Sequence, residues 1–167
     1  MGDERTKIFF EYGEERFSRR IAQAIIKART EKPFTTTTEL AEVIKLAQPR
    51  KDVHKHPATR VFQALRIEVN QELEILERAI PRALNRLSVG GRMVVMSFQS
   101  LEDKVVKKIF VAATESKTPR GLPVEIESLA AKFSLVFKGS EGASEAEINE
   151  NSRAQSVRLR AIERLAI

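Results

Sequence analysis

Gly90-Gly91-Arg92-Met93-Val94-Val95-Met96-Ser97-Phe98-Gln99-Ser100-Leu101-Glu102-Asp103 is the stretch that decides the fold class. The glycine pair ends any helix before it, and Met93 to Met96 is a continuous apolar run of the kind buried on both faces in a parallel sheet. Ser100-x-x-Asp103 then resembles a capping box, with Asp in place of the usual Glu or Gln, and opens a helix carrying Leu101, Val105, Val106 and Ile109. The order helix, glycine turn, buried strand, helix is α/β. Ser97 to Ser100 becomes a strand-to-helix turn, and such turns are where open α/β sheets bind ligands, because helix N-termini and loop side chains converge there. Capping alone also accounts for Ser100 and Asp103.

Downstream, Thr114 to Pro123 is a polar loop with two Pro and a Gly, and Phe133 to Phe137 reads as a strand. From Lys138 to Ser152 the composition turns to Gly, Ser, Glu and Asn, which predicts a mobile surface loop. Val157, Leu159 and Ala161 alternate with Arg158 and Arg160, the pattern of a final strand with one basic face; a helix through Ile162 and Leu165 is the rival.

Upstream, His56-Pro57-Ala58-Thr59-Arg60-Val61-Phe62-Gln63-Ala64-Leu65-Arg66-Ile67-Glu68-Val69-Asn70 opens a helix, with Pro57 suited to its first turn. Val61, Phe62, Leu65, Val69, Leu73, Leu76, Ile80, Leu84 and Leu87 recur at gaps of three and four, so one face is expected to be buried, with Pro81 kinking the run or dividing it. Arg60, Gln63, Arg66 and Asn70 share an adjoining stripe, which is either a solvated flank or a binding rim. Thr36-x-x-Glu39 matches a capping box for a helix carrying Leu40, Val43, Ile44 and Ala47, closed by Pro49. Before it, Phe17, Ile21, Ala24, Ile25 and Ala28 mark a helix from about Glu14 to Arg29, whose other face is basic at Arg16, Arg19, Arg20 and Lys27. Thr6 to Tyr12 reads as the end of a further helix stopped at Gly13. The chain thus divides into a helical module, 1–88, and a sheet part, 89–167.

Composition narrows the function classes. With 29 Lys+Arg against 23 Asp+Glu in 167 residues, the chain should be attracted to polyanions. It has no Cys, which excludes disulfides, thiolate metal sites and cysteine nucleophiles. With only His54 and His56, a histidine-rich metal site is not expected. No stretch approaches the roughly 18 apolar residues of a membrane span, and Met1-Gly2-Asp3-Glu4-Arg5 lacks the apolar core of a signal peptide, so a cytoplasmic location and no membrane partner are expected.

The segments His56 to Asn70 and Gly90 to Asp103, together with Glu11-Tyr12-Gly13-Glu14-Glu15-Arg16-Phe17 and Asn151-Ser152-Arg153-Ala154-Gln155-Ser156-Val157-Arg158-Leu159-Arg160, resemble in order the family that methylates a cytosine N4 in 16S rRNA. The resemblance covers nearly the whole chain. It implies S-adenosyl-L-methionine as methyl donor and 16S rRNA or the small ribosomal subunit as partner. The implied fold is the C-terminal part of a class I, Rossmann-like methyltransferase sheet with an inserted all-helical module and a closing antiparallel strand pair. In such members, of about twice this length, a cofactor-binding half with a Gly-rich loop precedes the matched region. This chain has seven Gly and no G-x-G-x-x-G run, so the cofactor residues are expected in an N-terminal half, which could be encoded separately. Gln99 stands where the family usually has His.

On that resemblance, Ser97, Gln99, Ser100 and Glu102 would shape the base pocket, Arg60 and Arg66 would grip phosphate, and Gln63 and Asn70 would border the RNA. The alternatives are a non-catalytic rRNA-binding module and an inactive methyltransferase fragment.

Overall fold

The computed structural model describes residues 2–49, 56–119, 121, 124 and 126–166. Of the segment Gln48 to Lys55, residues 50–55 lie outside the described set, His54 among them, as does Pro123. The chain forms two compact units, Met1–Glu72 and Leu73–Ile167.

The first unit is helical: α1 (Gly2–Glu11), α2 (Ser18–Glu31), α3 (Thr37–Ala47) and α4 (Thr59–Asn70). Its core joins Phe9 of α1, Ile21, Ala22 and Ile25 of α2, Ile44 and Ala47 of α3, and Ala58, Val61 and Ala64 at the start of α4. Thr36 caps α3 through the expected box with Glu39: Glu39 N–H donates to Thr36 Oγ1 at 3.2 Å, and Thr36 N–H donates back to Glu39 Oε2 at 3.3 Å. By contrast, α2 starts at Ser18 and not near Glu14. Glu14 takes a left-handed backbone with φ 49°, and Glu15 is buried ahead of the helix, its carboxylate accepting from Phe17 N–H at 2.9 Å and from Gln48 Nε2 at 3.3 Å. The local bond to Phe17 and the tertiary bond from Gln48 hold Glu15 outside the helix despite its helical preference.

The long apolar run is not one helix. It breaks at Gln71, whose left-handed backbone (φ 52°, ψ 37°) ends α4, while Pro81 lies inside α5 (Glu72–Leu84). The buried residues of α4 are Val61, Ala64 and Ile67, leaving Val69 78% exposed, so the stripe does not continue as expected across the break.

In the second unit, α5 is followed by β1 (Arg92–Ser97), α6 (Ser100–Ala113), β2 (Phe133–Leu135), α7 (Glu145–Glu150) and β3 (Arg158–Arg164), with 3-10 turns at Glu127–Leu129 and Ser152–Ser156. The unit begins earlier than the boundary expected at 88/89, since Ile80 and Leu84 of α5 share a core with Val106 and Phe110 of α6, Phe133 of β2 and Ile162 of β3. The sheet has the order β1-β3-β2 and both pairings are antiparallel, with Val94 opposite Ala161 and Leu135 opposite Ile162. The α/β class therefore holds, but β1 is not a doubly buried parallel strand. Its side chains alternate: Met93 and Val95 pack on the core, while Val94 and Met96 are 58% and 55% exposed. Burial on one face selects alternation, whatever the apolar content of the run.

The final segment forms a strand and not a helix, because it pairs on both edges. The expected loop from Lys138 to Ser152 contains α7, opened by a capping box in which Ser144 N–H donates to Glu147 Oε2 at 2.8 Å. Gly90, at φ 79°, supplies the turn before β1 and donates its N–H to Arg164 O at 2.7 Å, joining that turn to the end of β3.

Candidate functional site

The turn after β1 is built from the strand end upward. Ser97 closes β1 with 3% exposure, Phe98 turns outward, and Gln99 takes the extended backbone of an N-cap (φ −124°, ψ 145°). Glu102 then reaches back: its Oε2 accepts from Phe98 N–H at 3.1 Å and from Gln99 N–H at 3.2 Å. The capping pair is thus Gln99 with Glu102, one residue earlier than the expected Ser100 with Asp103. Ser100 is the exposed first residue of α6. The structure brings Ser97, Gln99, Ser100 and Glu102 into one turn, and in it Glu102 fixes the backbone.

Asp103, released from capping, takes a different partner. Its two oxygens accept from Arg160 Nε at 2.7 Å and Nη2 at 2.8 Å, while Arg160 Nη1 donates to Gly139 O at 2.8 Å. The side chains are only 12% and 17% exposed for Arg160 and Asp103. Hydrogen bonds from Arg160, followed by the charges of Arg160, Arg158 and Lys107, hold the Asp103 carboxyl below the usual aspartate range against the opposing effect of burial. This pair ties α6 to β3 and to the loop after β2 and so braces the turn from behind. Sequence spacing carried no signal of it, because its members lie 57 residues apart.

On α4 the expected stripe divides. Arg66 makes a two-pronged bond to Glu72, Nε to Oε1 at 2.7 Å and Nη2 to Oε2 at 3.1 Å, and Asn70 Nδ2 donates to the same Oε1 at 3.4 Å. The Arg66 hydrogen bond is the largest cause of a lowered Glu72 pKa. Arg60 Nη1 donates to Glu14 O at 3.5 Å, and Gln63 is half-buried. The stripe therefore presents two clusters, Arg66 with Asn70 around Glu72 and Arg60 beside the Glu14 turn. Glu72, which the sequence reading did not single out, organises one of them. Arg16, Arg19, Arg20 and Lys27 are exposed on or beside α2. A cavity of about 510 Å³ opens between the starts of α3 and α4, lined by Thr37, Thr38, Glu42, His56, Thr59 and Phe62 among others.

A nucleoside cofactor is commonly cradled where glycines let backbone approach it. Gly90, Gly121 and Gly139 have nothing within 4 Å of a Cβ position, so they line open space. Gly13 and Gly91 are packed on the chain's own backbone, with Arg60 O at 2.6 Å and Ser88 O at 2.8 Å from their Cβ positions. None of these glycines belongs to a G-x-G-x-x-G run of the kind that cradles a nucleoside cofactor.

Comparison with known proteins places these features in a family. The family model described as the MraW methylase family matches residues 3–165. Proteins named ribosomal RNA small subunit methyltransferase H are similar throughout. That of Renibacterium salmoninarum is 53% identical over 164 residues, covering 97% of this chain and 50% of the relative. That of Corynebacterium diphtheriae is 52% identical over 164 residues, covering 97% and 48%. That of Mycobacterium marinum is 51% identical over 162 residues, covering 96% and 41%. The chain spans about half the length of the curated relatives it matches.

Proposed function

The chain belongs to the MraW methylase family, and from that premise we propose that it is the base-receiving and RNA-contacting portion of a ribosomal RNA small-subunit methyltransferase. The finer reading is transfer of a methyl group from S-adenosyl-L-methionine to N4 of a cytosine in 16S rRNA, presented as rRNA or as the small subunit. In fold terms the chain would be the C-terminal part of a class I methyltransferase sheet, with the helical unit Met1–Glu72 as the inserted module. The methyl donor would be held by the portion of a relative that this chain does not match.

The observation that carries the reading is the braced turn at the end of β1, set beside an unfilled sheet face. Val94, Met96 and Phe98 are each more than half exposed, a contiguous apolar surface suited to burial by further chain. The chemistry asks for such a turn. A cytosine amine is conjugated with its ring and poorly nucleophilic, so it must be held in line with the donor, relieved of its proton and kept from water. The base must also be unstacked or already unpaired. Glu102 acts here as a positioning residue through the two N–H groups it holds, Gln99 and Ser100 offer polar groups at the mouth, and Ser97 anchors the strand end. Arg60 and Arg66 supply charge for phosphate, with Gln63 and Asn70 beside them.

The sequence has no G-x-G-x-x-G run, which leaves one rival, a non-catalytic rRNA-binding module. Calorimetric titration separates the two. The chain alone should give no saturable heat with S-adenosyl-L-methionine, and the chain mixed with the unmatched portion of a relative should bind it at low micromolar concentration, worth roughly 8 kcal/mol. Low micromolar binding by the chain alone would overturn the assignment of the donor site elsewhere, and no binding by a stable mixture would support the rival.

A further inference from the structure

The sheet face covered by α6 carries Met93, Val95 and Ser97 on β1 and, in register, Ile162, Arg160 and Arg158 on β3. The lining is apolar at one end and becomes basic toward the turn. Arg160 is structural, with Nε, Nη1 and Nη2 all bonded to Asp103 and Gly139. Arg158 differs. It is exposed, it lies opposite Ser97, the last residue before the candidate turn, and its Nη1 donates at 3.0 Å only as far as the neighbouring Val157 O. The same Nη1 stands 3.3 Å from the Cβ position of Gly142, so the missing side chain there leaves room for the guanidinium.

Lys107 lies one helical turn after Asp103 on the same face of α6 and is exposed. Arg158, on the strand that pairs with β1, and Lys107, on α6, both act by charge on the Asp103 carboxylate. Arg160 already bonds both oxygens of that carboxylate, so neither Arg158 nor Lys107 is needed to satisfy it. Lys107 and Lys108 line a shallow cavity of about 410 Å³ with Val111, Ala112 and, at its far end, Glu115. Exposed cations on two elements suit an extended polyanion better than a small one.

We propose that Arg158 and Lys107 form a phosphate-binding rim beside the Ser97 to Glu102 turn, gripping the phosphodiester backbone of single-stranded RNA next to the base that the turn receives. The inference rests on the rRNA methyltransferase reading of that turn. It is tested by fluorescence anisotropy with a labelled single-stranded oligoribonucleotide of 16S sequence over a salt series. Wild type is compared with Arg158→Gln/Lys107→Gln and with the charge-matched Lys117→Gln/Lys132→Gln. Loss of two phosphate contacts should flatten the slope of log affinity against log salt by ~1.4 in the first variant, at about 0.7 per contact on a single strand. The second variant should keep the wild-type slope, and thermal melting should be the same for all three. An unchanged slope in the first variant, or an equal fall in the second, overturns the rim while leaving RNA binding by the chain intact. A wild-type chain without salt-dependent affinity for the RNA overturns both the rim and the reading beneath it.

Discussion

Asp103 and Arg160 show how one ion pair can position a turn it does not belong to. Each has a mostly buried side chain, so removing one charge leaves the other poorly compensated. Asp103→Asn should therefore destabilise the second unit by about 2 kcal/mol at pH 7, below the range for fully buried pairs because some solvent reaches this one. The pH dependence has a definite sign. Arg160 lowers the folded-state pKa of Asp103, so the pair's contribution is present above the ordinary aspartate value near 4 and is lost as pH falls through the lowered value. Urea unfolding followed by circular dichroism should show the gap between wild type and Asp103→Asn closing as pH falls below about 4. A gap that stays constant would mean that the substitution acts by shape and not by charge.

At the scale of elements, the sequence was legible where the determinants are local. The Thr36 and Glu39 box was read directly, and the Ser144 and Glu147 box was there to be read, although a six-residue helix in polar composition looked like loop. At α6 a box one residue out of place gave the right helix and the wrong cap, since Ser100 and Asp103 also fit the motif. The misses came from tertiary ties. Nothing local marks Gln71 as a left-handed residue, so two helices serving different cores read as one periodic run. The late start of α2 depends on Glu15 being bonded by Gln48 from far along the chain. Gly13 ends the helix as expected and has a second role, because the chain just after α1 packs there against the backbone of α4. A Cβ on it would sit 2.7 Å from Phe9 O and 2.6 Å from Arg60 O, both backbone atoms that cannot rotate away. Gly13→Ala should force the two helices apart and cost about 2 kcal/mol, within the range for overpacking. A melting temperature of the first unit equal to wild type would show that the helices separate freely.

For the whole molecule, the candidate turn was found in sequence as a strand-to-helix junction, and its residues come together as that reading required. The environment of β1 was not legible, because an apolar run is compatible with burial on both faces whether or not the chain in hand supplies the cover. Here α6 covers one face, and Val94, Met96 and Phe98 remain open beside the turn. A half-covered apolar sheet and a turn braced by the Asp103–Arg160 pair fit the proposed division of labour. On the proposed reading this chain would receive the base, and the portion of its relatives that it does not match would hold the donor. The most direct test mixes the chain with that portion of a close relative and follows labelled methyl groups from S-adenosyl-L-methionine into small ribosomal subunits, with nuclease digestion to identify the base. Label should appear in N4-methylcytosine of 16S rRNA with the mixture and with neither part alone. A folded, stable mixture that transfers no label would contradict the account.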